Sequence, residues 1–169
     1  MGFHSLKDVL EEQLEDLHSA ETQLVEALPK MAQAAQHDEL REAFQHHLEE
    51  TRGHVKRVEE ALGELGVSNP TEVCKGMKGL IAEGEETIQM EGDSTAKDAA
   101  LIAAAQRVEH YEIAAYGTAR TLSKQLGLSD AASLLDETLD EESDADKLLT
   151  KLATGGMFSS GINKQASTV

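Results

Sequence analysis

Four long segments of this sequence repeat apolar residues at the three- and four-residue spacing of an amphipathic helix, and each places glutamate on or directly beside that stripe near mid-length. The stripe of the first segment reads Leu10, Leu14, Leu17, Glu21, Leu24 and Leu28. A carboxylate on the buried face of a helix loses its hydration, which costs several kcal/mol unless a cation or hydrogen bonds replace the water. Because four segments share the feature, the pattern indicates one common cause, a metal site inside a helical bundle.

The helix boundaries predict two helix pairs joined by a long connection. The four long helices are predicted from after Ser5 to about Ala35, from near Asp38 to Gly63–Gly66, from Thr95–Asp98 to Leu126–Gly127, and from Ser129 to Gly155–Gly156. Pro70, at the first turn of a segment opening at Ser68–Glu72, predicts a shorter helix within the connection. We therefore predict an all-α, ferritin-like four-helix bundle with one crossover over residues 1–156, followed by a flexible Gly- and Ser-rich tail over residues 157–169.

One glutamate of each long helix falls within about two residues of the helix midpoint: Glu21, Glu50, Glu109 and Glu142. The midpoints of neighbouring antiparallel helices lie at one level. Their side chains can therefore converge. Spacings of three and four put further polar residues on the same helix faces. The candidate metal ligands are Glu21, Glu50, His54, Glu109, Glu112, Glu142 and Asp146, with His47 and Tyr116 as possible additional ligands or hydrogen-bond partners of ligands. No catalytic residue is assigned.

A sulfur-free ligand set of carboxylates with one or two imidazoles suits Fe or Mn better than a structural zinc site. Carboxylates also bridge, which holds two metals roughly 3.5–4 Å apart. The predicted cofactor is two Fe ions, two Mn ions or one of each, able to react with O2 or H2O2. A polar layer of protonated carboxyls and water is the alternative, although no Lys or Arg lies on any of the four stripes.

Composition excludes several classes of partner. The net charge of -17 disfavours nucleic acid and anionic lipid, and no window approaches the roughly 18 apolar residues of a membrane span. The single cysteine, Cys74, cannot form an intramolecular disulfide, so we expect a cytoplasmic protein. Cys74 is expected to be a small apolar filler on the crossover.

One stretch carries a family resemblance. The run AAAQRVEHYEIAAY over residues 103–116, together with SAETQL at 19–24, HLEET at 47–51 and LDEE at 139–142, resembles the YciF/YciE-type bacterial stress proteins of the ferritin-like superfamily over about residues 5–153. The resemblance implies a rubrerythrin-like bundle with a di-metal centre, a homodimer and a link to stress responses. It also implies ligand roles for Glu21, for Glu50 with His54, for Glu109 with Glu112, and for Glu142. The chain departs from the superfamily pattern in the four-residue spacing between Glu50 and His54, and in Asp146, where many relatives have His.

Two functions remain open at this point. The first is a small redox protein that scavenges peroxide or acts like a ferroxidase. The second is a non-catalytic dimeric stress or scaffold protein with a weak or vestigial metal site, whose dimer contact would include Met77, Leu80 and Ile81 on the crossover helix. An iron-storage cage is disfavoured because the sequence predicts no short helix after the fourth long one. A DNA-protecting role is disfavoured because the tail contains one basic residue, Lys164.

Overall fold

Five helices account for most of the chain in the computed structural model, which describes residues 2–156 and 159–167. They are α1 (Leu6–Ala34), α2 (Asp38–Leu65), α3 (Lys75–Gln89), α4 (Ser94–Leu126) and α5 (Ser129–Thr154). A two-residue antiparallel pair, β1 (Gly155–Gly156) with β2 (Ser159–Ser160), follows α5 and leads into α6 (Ile162–Ala166).

The long helices α1, α2, α4 and α5 form a four-helix bundle. Sequence neighbours α1 and α2 pack along each other, as do α4 and α5, while α2 also contacts α5 and α1 contacts α4. The shorter α3 crosses between the two pairs and packs on α4 and α1. The predicted all-α bundle with a crossover helix is therefore confirmed. Within the described ranges, no helix combines the length and apolarity needed to traverse a bilayer.

The start of α1 is as predicted, whereas α3 and α4 begin differently. Ser5 caps α1 in a reciprocal capping box with Asp8. Helix α3 begins at Lys75, five residues after Pro70, because the backbone N–H of Cys74 donates to Ser19 Oγ at 3.0 Å and holds the preceding segment against α1. Cys74 itself caps α3 by accepting a hydrogen bond from the N–H of Met77.

Asp98 has a long-range role that the expected helix start concealed. Asp93 is the residue that caps α4, through a hydrogen bond from the N–H of Ala96. Asp98 is buried and accepts the backbone N–H groups of Gln36 and His37 at 3.0 and 2.7 Å. These two bonds satisfy donors in the α1–α2 turn and tie the two helix pairs together.

The chain does not end at α5 as a structureless tail. Residues Ile162–Ala166 form α6, which packs against α4 and α5, and Ile162 is only 1% exposed. A Cβ at Gly161 would lie 2.3 Å from backbone atoms at the end of α5, so glycine permits this close approach. The prediction that no short helix follows the fourth long one was therefore wrong. The predicted tail also includes residues 157, 158, 168 and 169, which lie outside the described residues.

The bundle core consists of two apolar clusters with polar residues between them. One cluster centres on Leu24, Phe44, Met77, Leu101, Ile102 and Leu149, and the other on Leu10, Leu14, Val58, Leu62, Tyr116 and Leu135. Along each of the four long helices, buried polar residues separate members of the two clusters. We call this set the polar layer; its members are Glu21, His47, Thr51, His54, Glu109, Glu112, Thr138 and Glu142.

Candidate metal centre

All four bundle helices contribute a potential metal ligand to the polar layer. Glu21 comes from α1, His47 and His54 from α2, Glu109 and Glu112 from α4, and Glu142 from α5. The potential ligand atoms form two groups, each with all its atoms within 4.8 Å of one another. The groups are His47, Glu109, Glu112 and Glu142, and Glu21, His54 and Glu142. Because Glu142 belongs to both groups, the two positions share a carboxylate.

Eight side-chain atoms of these six residues are buried without a hydrogen bond to any described residue. They are Glu21 Oε2, His47 Nε2, His54 Nδ1, Glu109 Oε2, both carboxylate oxygens of Glu112 and both of Glu142. Most buried polar atoms in folded proteins have a partner, and an unmet acceptor or charge costs free energy. Eight such atoms in one layer therefore make it a candidate site for cations.

At one end of the layer, His47 directs one ring nitrogen inward and the other outward. Its Nε2 lies 3.4 Å from Glu109 Oε2 and 3.5 Å from Glu142 Oε2. Its Nδ1 lies 3.2 Å from Glu50 Oε2, and the other oxygen of Glu50 lies 3.3 Å from the exposed His46. A hydrogen bond donated by Nδ1–H to Glu50 would leave Nε2 free for a metal, the usual arrangement of a histidine ligand.

At the other end of the layer, His54 also directs one ring nitrogen inward and the other outward, but here Nδ1 is the inward nitrogen and Nε2 the outward one. Its Nδ1 lies 2.9 Å from Glu142 Oε1 and 3.5 Å from Glu21 Oε2. Its Nε2 lies 2.9 Å from Glu141 Oε2, so that Nε2–H can donate to this carboxylate. Each imidazole of the polar layer thus has one nitrogen among unpaired carboxylate oxygens and one held by an outer carboxylate.

Arg57 anchors the outer carboxylate at the His54 end. Its guanidinium donates to both oxygens of Glu141, at 2.6 and 3.1 Å, to Glu137 at 2.6 Å and to Thr138 Oγ1 at 3.2 Å. Since Arg57 is on α2 while the three acceptors are on α5, these bonds also fix the two helices relative to each other. Such a two-pronged contact orients Glu141 more firmly than a single hydrogen bond would.

The electrostatics of the layer favour protonated histidines when no metal is bound. Burial alone would lower the pKa of His47, but Glu109, Glu50 and Glu142 outweigh it and raise that pKa to about 9. Burial is likewise outweighed at His54, where Glu142 and Glu21 raise the pKa to about 11. Two protonated imidazoles would supply positive charge beside the buried carboxylates. A bound metal would displace their protons.

The pKa values of the buried carboxyl groups are shifted in opposite directions by their surroundings. Burial, followed by repulsion from Glu142, Glu21 and Glu109, raises the pKa of Glu112 well above its usual value. The pKa of Glu109 is also raised, by burial and by Glu142, against the opposing effect of His47. The pKa of Glu142 is lowered, since the close contact with His54, at 2.9 Å, and the charge of His47 outweigh its burial. These shifts therefore favour the charged forms of Glu142, His47 and His54 and the neutral forms of Glu109 and Glu112.

Tyr116 contacts the layer from the adjoining apolar cluster. Its hydroxyl is fully buried and donates a short hydrogen bond to Glu21 Oε1. Burial and the neighbouring Glu21 raise the pKa of Tyr116 well above that of a free tyrosine, so it remains a proton donor. The sequence-based possibility that Tyr116 bonds a candidate ligand therefore agrees with the structure, in addition to its packing role.

The structure brings together most, but not all, of the predicted ligands. Glu21, His54, Glu109, Glu112 and Glu142 converge, and His47 joins them. Glu50 lies outside both groups because its carboxylate bridges His46 and His47 and is partly exposed. Asp146 lies outside as well, since it is about 40° further around α5 than Glu142. There it accepts a hydrogen bond from Gln106 at 2.9 Å and lies 3.3 Å from His110.

Sequence reasoning missed Glu141 and Arg57. The available signal was the pair Glu137 and Glu141, four residues apart on α5, together with Arg57 three residues after His54 on α2. That spacing shows that each set shares a helix face. It does not show that the two faces meet, because this depends on the register between α2 and α5.

Two openings approach the layer, both bordered by Glu109. A polar cleft of about 240 Å³ between α2 and α5 is lined by Ala43, Phe44, His46, His47, Glu50, Asp144, Ala145, Leu148 and Leu149. An apolar groove with a volume of about 40 Å³ lies between α1, α3 and α4, lined by residues that include Met31, Leu80, Ile81, Ile88 and Val108. Leu80 and Ile81 line this groove, whereas Met77 is fully buried within the chain and is not available for the predicted dimer contact.

Comparison with known proteins identifies close relatives over nearly the whole chain. A family model described as "Domain of unknown function (DUF892)" matches residues 5–166. The Escherichia coli protein YciF is 45% identical over 165 residues, which cover 97% of this chain and 99% of YciF. The crystal structure of YciF, described as a stress protein, matches with a TM-score of 0.85 at 46% identity, covering 89% of this chain and 95% of that one. YcfI from Rhodopseudomonas palustris, described as "a putative structural protein", matches with a TM-score of 0.85 at 38% identity, covering 89% of this chain and 96% of that one.

Proposed function

This chain belongs to the DUF892 family, and on that premise we propose that it is a stress-associated ferritin-like protein whose polar layer binds two transition-metal ions that react with O2 or H2O2. The ions would be Fe, Mn or one of each. The reaction would be peroxide scavenging or a ferroxidase-like oxidation. The observation that carries the proposal is the convergence of eight unpaired, buried ligand atoms in one layer of the bundle.

The charges in the layer fit two divalent ions. Four carboxylates, those of Glu21, Glu109, Glu112 and Glu142, would be neutralised by two such ions. His47 and His54 would each add one neutral nitrogen. Oxygen donors with imidazole and without sulfur match Fe and Mn better than a structural zinc site.

The residues have distinct tasks in this proposal. Glu142 would contact both ions because it belongs to both ligand groups, while Glu109 and Glu112 would complete the position at the His47 end. Glu50 and Glu141 would orient the imidazoles through their outer nitrogens. The apolar clusters above and below the layer would restrict access of water.

Bound Fe or Mn would supply the electrons needed to reduce a small oxidant, one from each ion. The chain's own contribution near the reacting atoms would include a proton at Tyr116 Oη, which it donates to Glu21.

The first test is the metal content of purified protein after expression with added Fe and Mn. We expect close to two Fe or Mn per chain in the parent, and a loss of metal in Glu109→Gln and Glu112→Gln, which keep the side-chain volume but remove a charged ligand. Glu60→Gln, at an exposed position on α2, is the matched control and should retain the metal. Circular dichroism of each variant would establish that the bundle still folds.

The redox part needs a separate measurement. Protein loaded with Fe2+ under anaerobic conditions should consume H2O2 or O2 faster than an equal concentration of free Fe2+, and Glu112→Gln should abolish the difference. If the protein binds two ions but does not consume the oxidant faster than free Fe2+, the proposed metal site stands and the proposed redox role is excluded.

The alternative function is a non-catalytic stress or scaffold protein with a weak or vestigial metal site. It is favoured by one geometric observation: in the described structure α2 contributes two imidazoles but no carboxylate to either ligand group, so the layer holds fewer charged ligands than the sequence predicted. The description of YcfI, a relative, points in the same direction. Substoichiometric metal that is unchanged in Glu109→Gln and Glu112→Gln would support this alternative over the redox protein.

The expected homodimer and cytoplasmic location are part of the proposal. Sedimentation velocity of the purified protein would measure the mass of the assembly, and fractionation of the producing cells would locate it. A monomer would remove the dimer from the proposal without affecting the metal centre.

A further inference from the structure

We propose that the polar cleft between α2 and α5 is the entrance by which divalent cations reach the buried centre, an inference that rests on the proposed metal-binding function. The polar layer is closed over most of its surface. Glu21, His54, Glu112 and Glu142 are fully buried, so a cation cannot reach their free atoms directly from solvent. His47 and Glu109 are the two residues of the ligand groups that border the cleft.

The buried ends of both residues present free ligand atoms. His47 Nε2 and Glu109 Oε2 are buried, make no hydrogen bond and lie 3.4 Å from each other. The side chains are only 7% and 3% exposed. A cation that travels down the cleft would therefore meet two unpaired ligand atoms at its inner end, and these atoms belong to the first ligand group.

The outer part of the cleft is lined by groups that attract and exchange cations. His46 is exposed at the mouth, with Nε2 3.3 Å from Glu50 Oε1, and Glu50 Oε2 lies 3.2 Å from His47. Asp144 is on the opposite wall and pairs with Lys147 at 2.8 Å; both side chains are more than two-thirds exposed, so the pair is weak and easily exchanged. Potential cation ligands therefore line the path from solvent to the layer, first His46 and Glu50 and then His47 and Glu109.

The other approaches to the layer offer a cation few free ligands. Arg57 closes the His54 end by binding Glu137 and Glu141. Lys30 and Glu85 line the apolar groove and pair with each other at 2.6 Å, and the remaining lining before Glu109 offers apolar side chains. At the His54 end the oxygens of Glu141 are already bound by Arg57, and in the groove a divalent cation would lose its hydration without replacement. The cleft instead supplies carboxylate and imidazole ligands.

The test measures the rate of metal uptake separately from the final amount. Metal-free protein is mixed with Mn2+, the reaction is stopped with excess chelator at set times, and the retained Mn is measured after desalting. Ala43→Phe narrows the cleft, and Asp144→Lys reverses a charge on its wall. We expect each variant to slow uptake by about threefold or more while the final Mn per chain stays at the value of the parent.

One control variant matches the charge reversal, and a second narrows the alternative route through the apolar groove. Asp130→Lys makes the same charge reversal on an exposed residue in the first turn of α5, and Gly84→Ala adds a methyl group to the apolar groove, 3.9 Å from Met31 Sδ. Both are expected to take up Mn2+ at the rate of the parent. Added salt should slow the parent and have a smaller effect on Asp144→Lys, since salt screens the attraction of cations to acidic groups.

The possible results separate the entrance from the metal site. If both cleft variants take up Mn2+ at the rate of the parent and reach the same final Mn per chain, the proposed entrance is wrong and the proposed metal centre is unaffected. Slower uptake in Gly84→Ala alone would overturn the entrance in favour of the apolar groove. A parent that retains no Mn at any time would overturn the proposed function and the entrance with it.

Discussion

The two ends of the polar layer contain the same chemical unit in different surroundings. At each end an imidazole faces unpaired carboxylate oxygens and is held from behind by an outer carboxylate, Glu50 for His47 and Glu141 for His54. Glu141 is bound by the guanidinium of Arg57, whereas Glu50 is bound by exposed His46 and borders the cleft. One end is therefore fixed and closed, and the other is accessible from solvent.

This difference indicates that holding a metal and admitting it impose opposite demands on the protein. A ligand held by Arg57 has little freedom to move, which favours retention of an ion at the His54 end. Glu50 has no cation of fixed charge beside it among the described contacts, and it borders the cleft, which favours exchange at the His47 end. Metal bound at the two ends should consequently differ in affinity and in exchange rate.

The largest effect is expected from removing the residue that the two ends share. Glu142→Ala deletes a carboxylate from both ligand groups, so we expect the loss of both metal ions and not of one. Elemental analysis after loading with Mn2+ would measure the loss. Ser123→Ala, at a buried polar position on α4 outside the polar layer, is the control and leaves the ligand groups intact. One remaining ion per chain in Glu142→Ala would show that the ends bind metal independently.

The next effect concerns the stability of the metal-free protein at high pH. The folded-state pKa values of His47 and His54, about 9 and about 11, lie above the unfolded value of about 6.5. Their protonation therefore stabilises the fold fully below about pH 6.5, and this contribution is lost as the pH rises through the two folded values. The raised pKa values of Glu109 and Glu112 act in the same direction from a lower starting pH.

We thus expect the free energy of unfolding of the metal-free protein to fall by on the order of a few kcal/mol between pH 7 and pH 10. Urea unfolding in the presence of EDTA would measure it. Since both contributions begin to decline near pH 6.5, His47→Gln should make the decline shallower only up to about pH 9, whereas His54→Gln should make it shallower up to about pH 11. The metal-loaded protein is the control and should show a much smaller decline. An equal decline with and without metal would contradict the electrostatic account of the layer.

The outer carboxylates test the same comparison at smaller magnitude. Glu141→Gln leaves Arg57 facing an uncharged partner of His54, and we expect metal affinity to fall by roughly 10- to 100-fold. Glu50→Gln should cost less, about tenfold or below, because no arginine binds Glu50 and none is left facing an uncharged partner of His47. Competition with a chelator of known affinity would measure both losses. A greater loss in Glu50→Gln would reverse the assignment of the fixed and accessible ends.

The polar layer itself could be predicted from the sequence because its signal lies within single helices. Glu21 replaces leucine in a regular apolar stripe, and Glu109, Glu112 and Glu142 interrupt their stripes in the same way. His47 and His54 are also on the stripe of α2, whereas Glu50 lies beside it. The periodicity therefore favoured His47, and the ligand pattern taken from the superfamily resemblance favoured Glu50. The geometry agrees with the periodicity.

Contacts between helices could not be predicted in this way. The bond between Arg57 and Glu141 depends on the register of α2 against α5, and Asp98 reaches a turn about sixty residues away along the chain. The helix at Ile162 is only five residues long, and its formation depends on the burial of one side chain and the close approach of Gly161. Short segments of this kind carry too little periodicity to be recognised.

The smallest expected effect is the removal of a hydroxyl at the His54 end. Tyr116→Phe deletes the donor to Glu21 Oε1 while retaining the ring in its apolar cluster, so we expect the metal-free protein to lose about 1 kcal/mol of unfolding free energy. Tyr111→Phe is the matched control on the same helix, since its hydroxyl donates to Asp16 outside the polar layer. Urea unfolding with and without bound Mn2+ would separate the two variants. Because metal bound by Glu21 would partly replace the lost hydrogen bond, loading should reduce the deficit of Tyr116→Phe and leave that of Tyr111→Phe unchanged. Equal deficits in both variants, with no response to metal, would show that Glu21 does not take part in metal binding at this end.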